Sequence, residues 1–155
     1  MADGYWANGA ISFVKEKNLM IGDERGNFRP EAAVTRAEMA VTAARIKQLA
    51  PLGEAEASTA FKDIQGHWAA GYIAAGKASG VIAGYQDSSF APSKELTRAE
   101  TVTIVNRLFD RGPLYGVDNR FWSDVDTAHW AYQNIMEASY SHDYDVRAEG
   151  GEQVK

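Results

Sequence analysis

Val34-Thr-Arg-Ala-Glu-Met39 returns 62 residues later as Leu96-Thr-Arg-Ala-Glu-Thr101, and Trp6, Trp68 and Trp130 stand at the same interval. A chain that copies itself at a fixed period must fold as an array of like units. A unit of one or two helices cannot bury its own apolar stripe, so the copies must pack on one another. Laying residues 4–47 on 66–109 without a gap matches Gly4, Trp6, Ala7, Gly9, Ile11, Lys15, Gly22, Phe28, Pro30, Thr35, Arg36, Ala37, Glu38 and Arg45. The third copy follows through His129-Trp130-Ala131 and Ile135, then diverges: the Phe-x-Pro and Thr-Arg-Ala-Glu segments do not return. The boundaries are repeat one at 4–49, repeat two at 61–111, a partial repeat three at 121–140, and a tail at 141–155 with no periodicity, expected to be irregular.

Each full repeat predicts helix, loop, helix. First helices are expected over about 6–17, 68–79 and 130–140, from apolar residues at Trp6, Ala10, Val14 and at Trp68, Tyr72, Ala75. They should stop at Asn18 and Gly80, residue types that tolerate the left-handed conformation. Gly22 and Gly84 mark loop positions where positive φ is expected. Phe28-x-Pro30 and Phe90-x-Pro92 plug the loop onto the core. Second helices run from Thr35 to about Leu49 and from Thr97 to about Phe109, and 50–60 and 110–120 are connectors. The predicted fold is all-α: one module over 1–155, a bundle of three first helices with the second helices outside and the third repeat incomplete.

Thr35 with Glu38, and Thr97 with Glu100, have the spacing of a capping box, so a structural role accounts for all four. Arg36 and Arg98 occupy the first helical position, where capping asks nothing of the side chain and a cation opposes the helix dipole. Two partners would account for them: a carboxylate elsewhere in the fold, or an anionic ligand met by the guanidinium and the helix-start amides together. Trp6, Trp68 and Trp130 also have two readings. Helical spacing and flanking Ala favour core; the other is a platform on which sugar rings stack. Tyr85 and Asp87 lie in the loop and are placed to line a groove, where the first copy has Asp23 and Arg25.

Composition removes several classes. A net charge of -5 argues against polyanion binding by bulk electrostatics, hence against a nucleic-acid partner. With no cysteine, thiol catalysis and thiolate metal sites are excluded. No apolar run is long enough to span a bilayer. His67 and His129 serve as helix-start caps, and His142 stands alone beside Asp143. Asp23-Glu-Arg-Gly-Asn27 lacks the alternating ligand spacing of a calcium loop. No catalytic constellation, metal site or cofactor motif is evident.

Trp-Ala…Ile, Gly84-Tyr-Gln-Asp87 with Phe90-x-Pro92, and Thr-Arg-Ala-Glu, in this order, resemble the S-layer homology repeat of bacterial cell-surface proteins. The resemblance covers the two full repeats and the first half of a third. It implies a pseudo-threefold helical bundle, an extracellular location at the bacterial wall, and attachment of a larger exoprotein to a secondary cell-wall polysaccharide, commonly a glycan bearing pyruvate ketals. The ligand-holding Arg of that family falls here on Arg36 and Arg98. Gly84, Tyr85 and Asp87 become groove lining, and Trp68 and Trp130 complete the candidate binding residues. The first loop departs from the pattern as Gly22-Asp-Glu-Arg-Gly26, Ser88 stands where the family usually has Gly, and the third copy lacks its Arg. At most two sites are expected to be competent, the second copy's being the better. The expected function is non-catalytic wall anchoring; the alternatives are a structural or protein-interaction module that kept the fold but lost glycan binding, and an enzyme acting on wall polymer.

Overall fold

The computed structural model describes residues 4–155. Among these residues it is mostly helical, with six helices and three short strands. The 62-residue period is preserved in space: α1 (Asn8–Glu16), α4 (Ala70–Ala78) and α6 (Tyr132–Ser139) begin 62 residues apart, as do α2 (Arg36–Ile46) and α5 (Arg98–Leu108). The remaining elements are α3 (Glu54–Ala60), β1 (Leu114–Tyr115), β2 (Tyr144–Val146) and β3 (Glu152–Val154). The chain divides into two compact units, Met1–Glu95 and Leu96–Lys155.

In the first unit α4 packs on both α2 and α3. The buried face of α2 is made of Ala37, Ala40, Val41, Ala43 and Ala44, and that of α4 of Ile73, Ala74 and Ala75. Such small residues allow packed helices to approach closely. The glycines of α4 mark further close approaches. A Cβ on Gly71 would stand 2.6 Å from the Leu52 carbonyl oxygen, and one on Gly76 would meet Ile82 Cδ1 at 2.5 Å. The first helices stop where expected: Asn18 and Gly80 have φ of 54° and 76°, and the Leu19 and Ile82 amides donate back to Val14 and Gly76.

Both capping boxes form. Glu38 N donates to Thr35 Oγ1 at 3.2 Å and Thr35 N to Glu38 Oε2 at 2.8 Å; the distances at Thr97 and Glu100 are 3.2 and 2.9 Å. Thr97→Ala should therefore cost about 1 kcal/mol, measured by urea unfolding.

In the second unit α5 packs on α6, and Asn106 Nδ2 donates to Asn134 O at 2.9 Å. Leu114, Tyr132 and Met136 form the core, flanked by Val117, Val125, Ile135 and Val154. The strands make a sheet in the order β1-β3-β2, β3 parallel to β1 and antiparallel to β2.

Three expectations are corrected. Residues 50–60 are not only connector: Gly53 precedes α3, whose first turn carries Glu54 and Glu56, favourable charges at a helix start. The tail 141–155 is not irregular, because β2 and β3 form a hairpin turned by Gly150 and Gly151, with φ of 89° and 82°. The Trp residues are not core. Each sits in a turn just before its helix, and Trp6, Trp68 and Trp130 are 88%, 67% and 62% exposed.

Candidate functional site

The capping box fixes where α2 begins, and so places Arg36 at its first turn. The segment 83–94 of the second repeat closes over that turn. Arg36 N donates to Lys94 O and Ala37 N to Pro92 O, both at 2.9 Å. With Thr35 N and Glu38 N held in the capping box, the amides opening α2 are consumed within the protein. The guanidinium follows the backbone inward. Its Nε donates to Phe90 O at 2.6 Å and its Nη2 to Ala83 O at 3.1 Å. Its carbon lies 4.7 Å from the Tyr85 ring centroid and 4.6 Å from that of Phe90. Arg36 is 7% exposed. The hydrogen bonds just given go to carbonyl oxygens, and the charge rests between two aromatic faces.

The loop that receives Arg36 is itself fixed from several sides. Tyr85 N donates to Ser89 O at 2.8 Å, closing the turn. Gly84 does not have positive φ, contrary to expectation. Its lack of a side chain serves close packing, since a Cβ would collide with the Phe61 ring and stand 2.6 Å from Ser89 O. Asp63 accepts from Phe90 N at 2.8 Å and Ala91 N at 2.7 Å. Burial pulls its pKa up, but those two amides outweigh it and leave the carboxyl below its ordinary value. Asp87 ion-pairs with Lys62 at 2.7 Å and accepts from the Ser89 hydroxyl and amide, and these contacts hold its pKa well below the carboxylate range. Lys94 Nζ donates to Tyr85 Oη at 2.8 Å. Gly84, Tyr85 and Asp87 thus come together with Arg36, one repeat's helix start docking on the next repeat's loop.

The same motif has the opposite fate in α5. No third-repeat loop follows, because after α6 the chain enters the β2–β3 hairpin. Arg98 is exposed. Among the described residues its guanidinium has no hydrogen-bond or ionic partner, and the amides of Arg98 and Ala99 donate to nothing. Two chemically identical Thr-Arg-Ala-Glu segments thus give one buried strut and one open cationic helix start.

The exposed Trp residues are oriented by their neighbours. His67 Nδ1 accepts from Ala69 N and His129 Nδ1 from Ala131 N, each at 3.2 Å, which turns the chain into α4 and α6 as expected. Trp68 and Trp130 lie beside these imidazoles, at 5.6 and 5.9 Å between ring centroids. Asp63, Lys62 and Lys94 were not singled out by the sequence, since their partners lie 9 to 28 residues away.

Residues 2–40 and 60–102 match the S-layer homology domain, and the chain belongs to that family. A cellulosome-anchoring protein of Acetivibrio thermocellus is 41% identical over 156 residues, 98% of this chain and 34% of its own length. Cell surface glycoprotein 1 of the same organism is 34% identical over 163 residues, 100% of this chain and 7% of its own. S-layer protein EA1 of Bacillus anthracis is 32% identical over 102 residues, 66% of this chain and 12% of its own. The chain therefore spans about a third or less of these relatives. Family membership makes it a cell-wall anchoring module at the bacterial cell surface.

Proposed function

We propose that this chain holds a larger exoprotein to the wall by binding an anionic secondary polysaccharide, and that the acidic substituent is met by Arg98. The observation that carries this reading is the contrast between two copies of one motif. Arg36 is occupied in the fold, whereas Arg98 faces solvent beside two open amides at the positive end of an 11-residue helix. A guanidinium and helix-start amides together suit a carboxylate such as a pyruvate ketal. Trp68 and Trp130 offer sugar rings an exposed aromatic face. Several weak contacts along one polymer then add by avidity. Binding, not catalysis, is the role the residues fit.

The test is co-sedimentation with purified cell-wall sacculi. Arg98→Ala is expected to weaken attachment at least about tenfold, the loss of one charge-assisted pair, while leaving the melting temperature unchanged. Trp130→Ala should act in the same direction. Stripping the acidic substituents from the sacculi should reduce wild-type binding to the level of Arg98→Ala. Wild-type binding by Arg98→Ala would remove the anionic site and leave a scaffold whose attachment comes from elsewhere.

A further inference from the structure

Three side chains distant in sequence meet between α6 and the hairpin: Glu137 in the last turns of α6, His142 in the link that follows, and Glu152 at the start of β3. Their side chains are 4%, 2% and 6% exposed. His142 Nδ1 lies 2.6 Å from Tyr140 O. A carbonyl only accepts, so Nδ1 carries a proton, and Nε2 is the nitrogen that faces two carboxylates, with Glu137 Oε2 at 3.1 Å and Glu152 Oε2 at 3.7 Å.

Neither His142 Nε2 nor Glu137 Oε2 makes a directed hydrogen bond, although both atoms are buried. Leaving two such atoms unsatisfied is expensive. The other oxygens are provided for. Arg111 Nη2 reaches Glu137 Oε1 at 2.6 Å, Arg111 Nε and Gly112 N reach Glu152 Oε1 at 3.0 Å each, and Arg111 Nη2 reaches Glu152 Oε2 at 3.2 Å. Two carboxylates against one guanidinium leave one negative charge facing the imidazole.

We infer that Glu137, His142 and Glu152 form a site for a first-row divalent cation of the zinc type, which clips α6 to the C-terminal hairpin. The three donor atoms lie within 4.8 Å of one another. Ligands about 2.0–2.1 Å from a tetrahedral ion are roughly 3.4 Å apart, and the separations of 3.1 and 3.7 Å from Nε2 bracket that value. One imidazole with two carboxylates suits zinc and its neighbours, whereas calcium asks for six to eight oxygens. An imidazole that gives its second N–H to a backbone carbonyl is the usual outer arrangement of a metal-bound histidine. The fourth position is left to water. This inference rests on the fold of the second unit and is independent of glycan binding.

The experiment strips the full chain with a chelator and titrates it with zinc sulfate by calorimetry, following the melting temperature in parallel. One equivalent should bind, raising the melting temperature by roughly 5 °C at saturating zinc; calcium chloride should do neither. Glu137→Gln, which keeps side-chain volume, and His142→Ala should each weaken zinc binding by more than about 100-fold. Glu149→Gln, exposed on the same hairpin, should not change it. Absence of one-equivalent binding in the folded wild type overturns the proposal and leaves His142 as an imidazolium inside an ionic network. So does undiminished affinity in Glu137→Gln. Should His142→Ala fail to fold, Glu137→Gln decides the matter alone.

Discussion

Arg36→Ala is expected to lower the unfolding free energy of the first unit by about 3 kcal/mol, while Arg98→Ala changes stability by less than about 0.5 kcal/mol. The alanine removes charge-assisted donors to Phe90 O and Ala83 O, and the cation lying between Tyr85 and Phe90. The Phe90 carbonyl then stays buried without a donor, which carries most of the cost. Arg36→Lys should recover less than half of it, because one ammonium cannot serve both carbonyls and stack flat on two rings. Chemical denaturation followed by circular dichroism measures all three variants. Equal destabilisation at both positions would mean that the two Arg residues play the same part, contrary to their surroundings.

Gly84→Ala should be comparably damaging, at about 3 kcal/mol. No backbone strain is involved, since Gly84 has ordinary φ; the penalty is steric. The new methyl would have to displace either Phe61 or the Ser89 carbonyl that closes the turn onto Tyr85 N. Phe61 has little room to yield. It is 5% exposed, its ring centre lies 5.3 Å from that of Phe90, and Lys77 Nζ sits 4.4 Å above it. Displacing the loop also removes the acceptors of Arg36, so Gly84→Ala and Arg36→Ala should be less than additive in the double variant. Full additivity would show that loop and strut are uncoupled.

What the sequence disclosed followed the range of the interactions. The capping boxes were legible because donor and acceptor lie three residues apart, and the helix stops at Asn18 and Gly80 because left-handed backbone is a local demand. Family membership was legible from the ordered motifs. The partner of Arg36 was not: Phe90 lies 54 residues away, and its carbonyl carries no side-chain signature. The Trp residues misled because their spacing continues the helical stripe backward past the true helix start, which His67 and His129 define. The hairpin was hidden for another reason. β2 and β3 are three residues each, shorter than the runs of about four to eight over which alternation is recognised. The Glu137, His142 and Glu152 cluster spans two elements of different type and left no periodic trace.

The docking of α2 on the 83–94 segment means that the copied unit and the cooperative unit are out of step by half a period. A helix start from one copy and a loop from the next are the pieces that must coexist. Copies of this motif therefore cannot be cut out, reordered or grafted at the boundaries their own sequence advertises without orphaning a guanidinium on one side and an empty cradle on the other. Chimeras joined inside the repeats, after the loop and before the Thr-Arg-Ala-Glu turn, would keep each lock with its key.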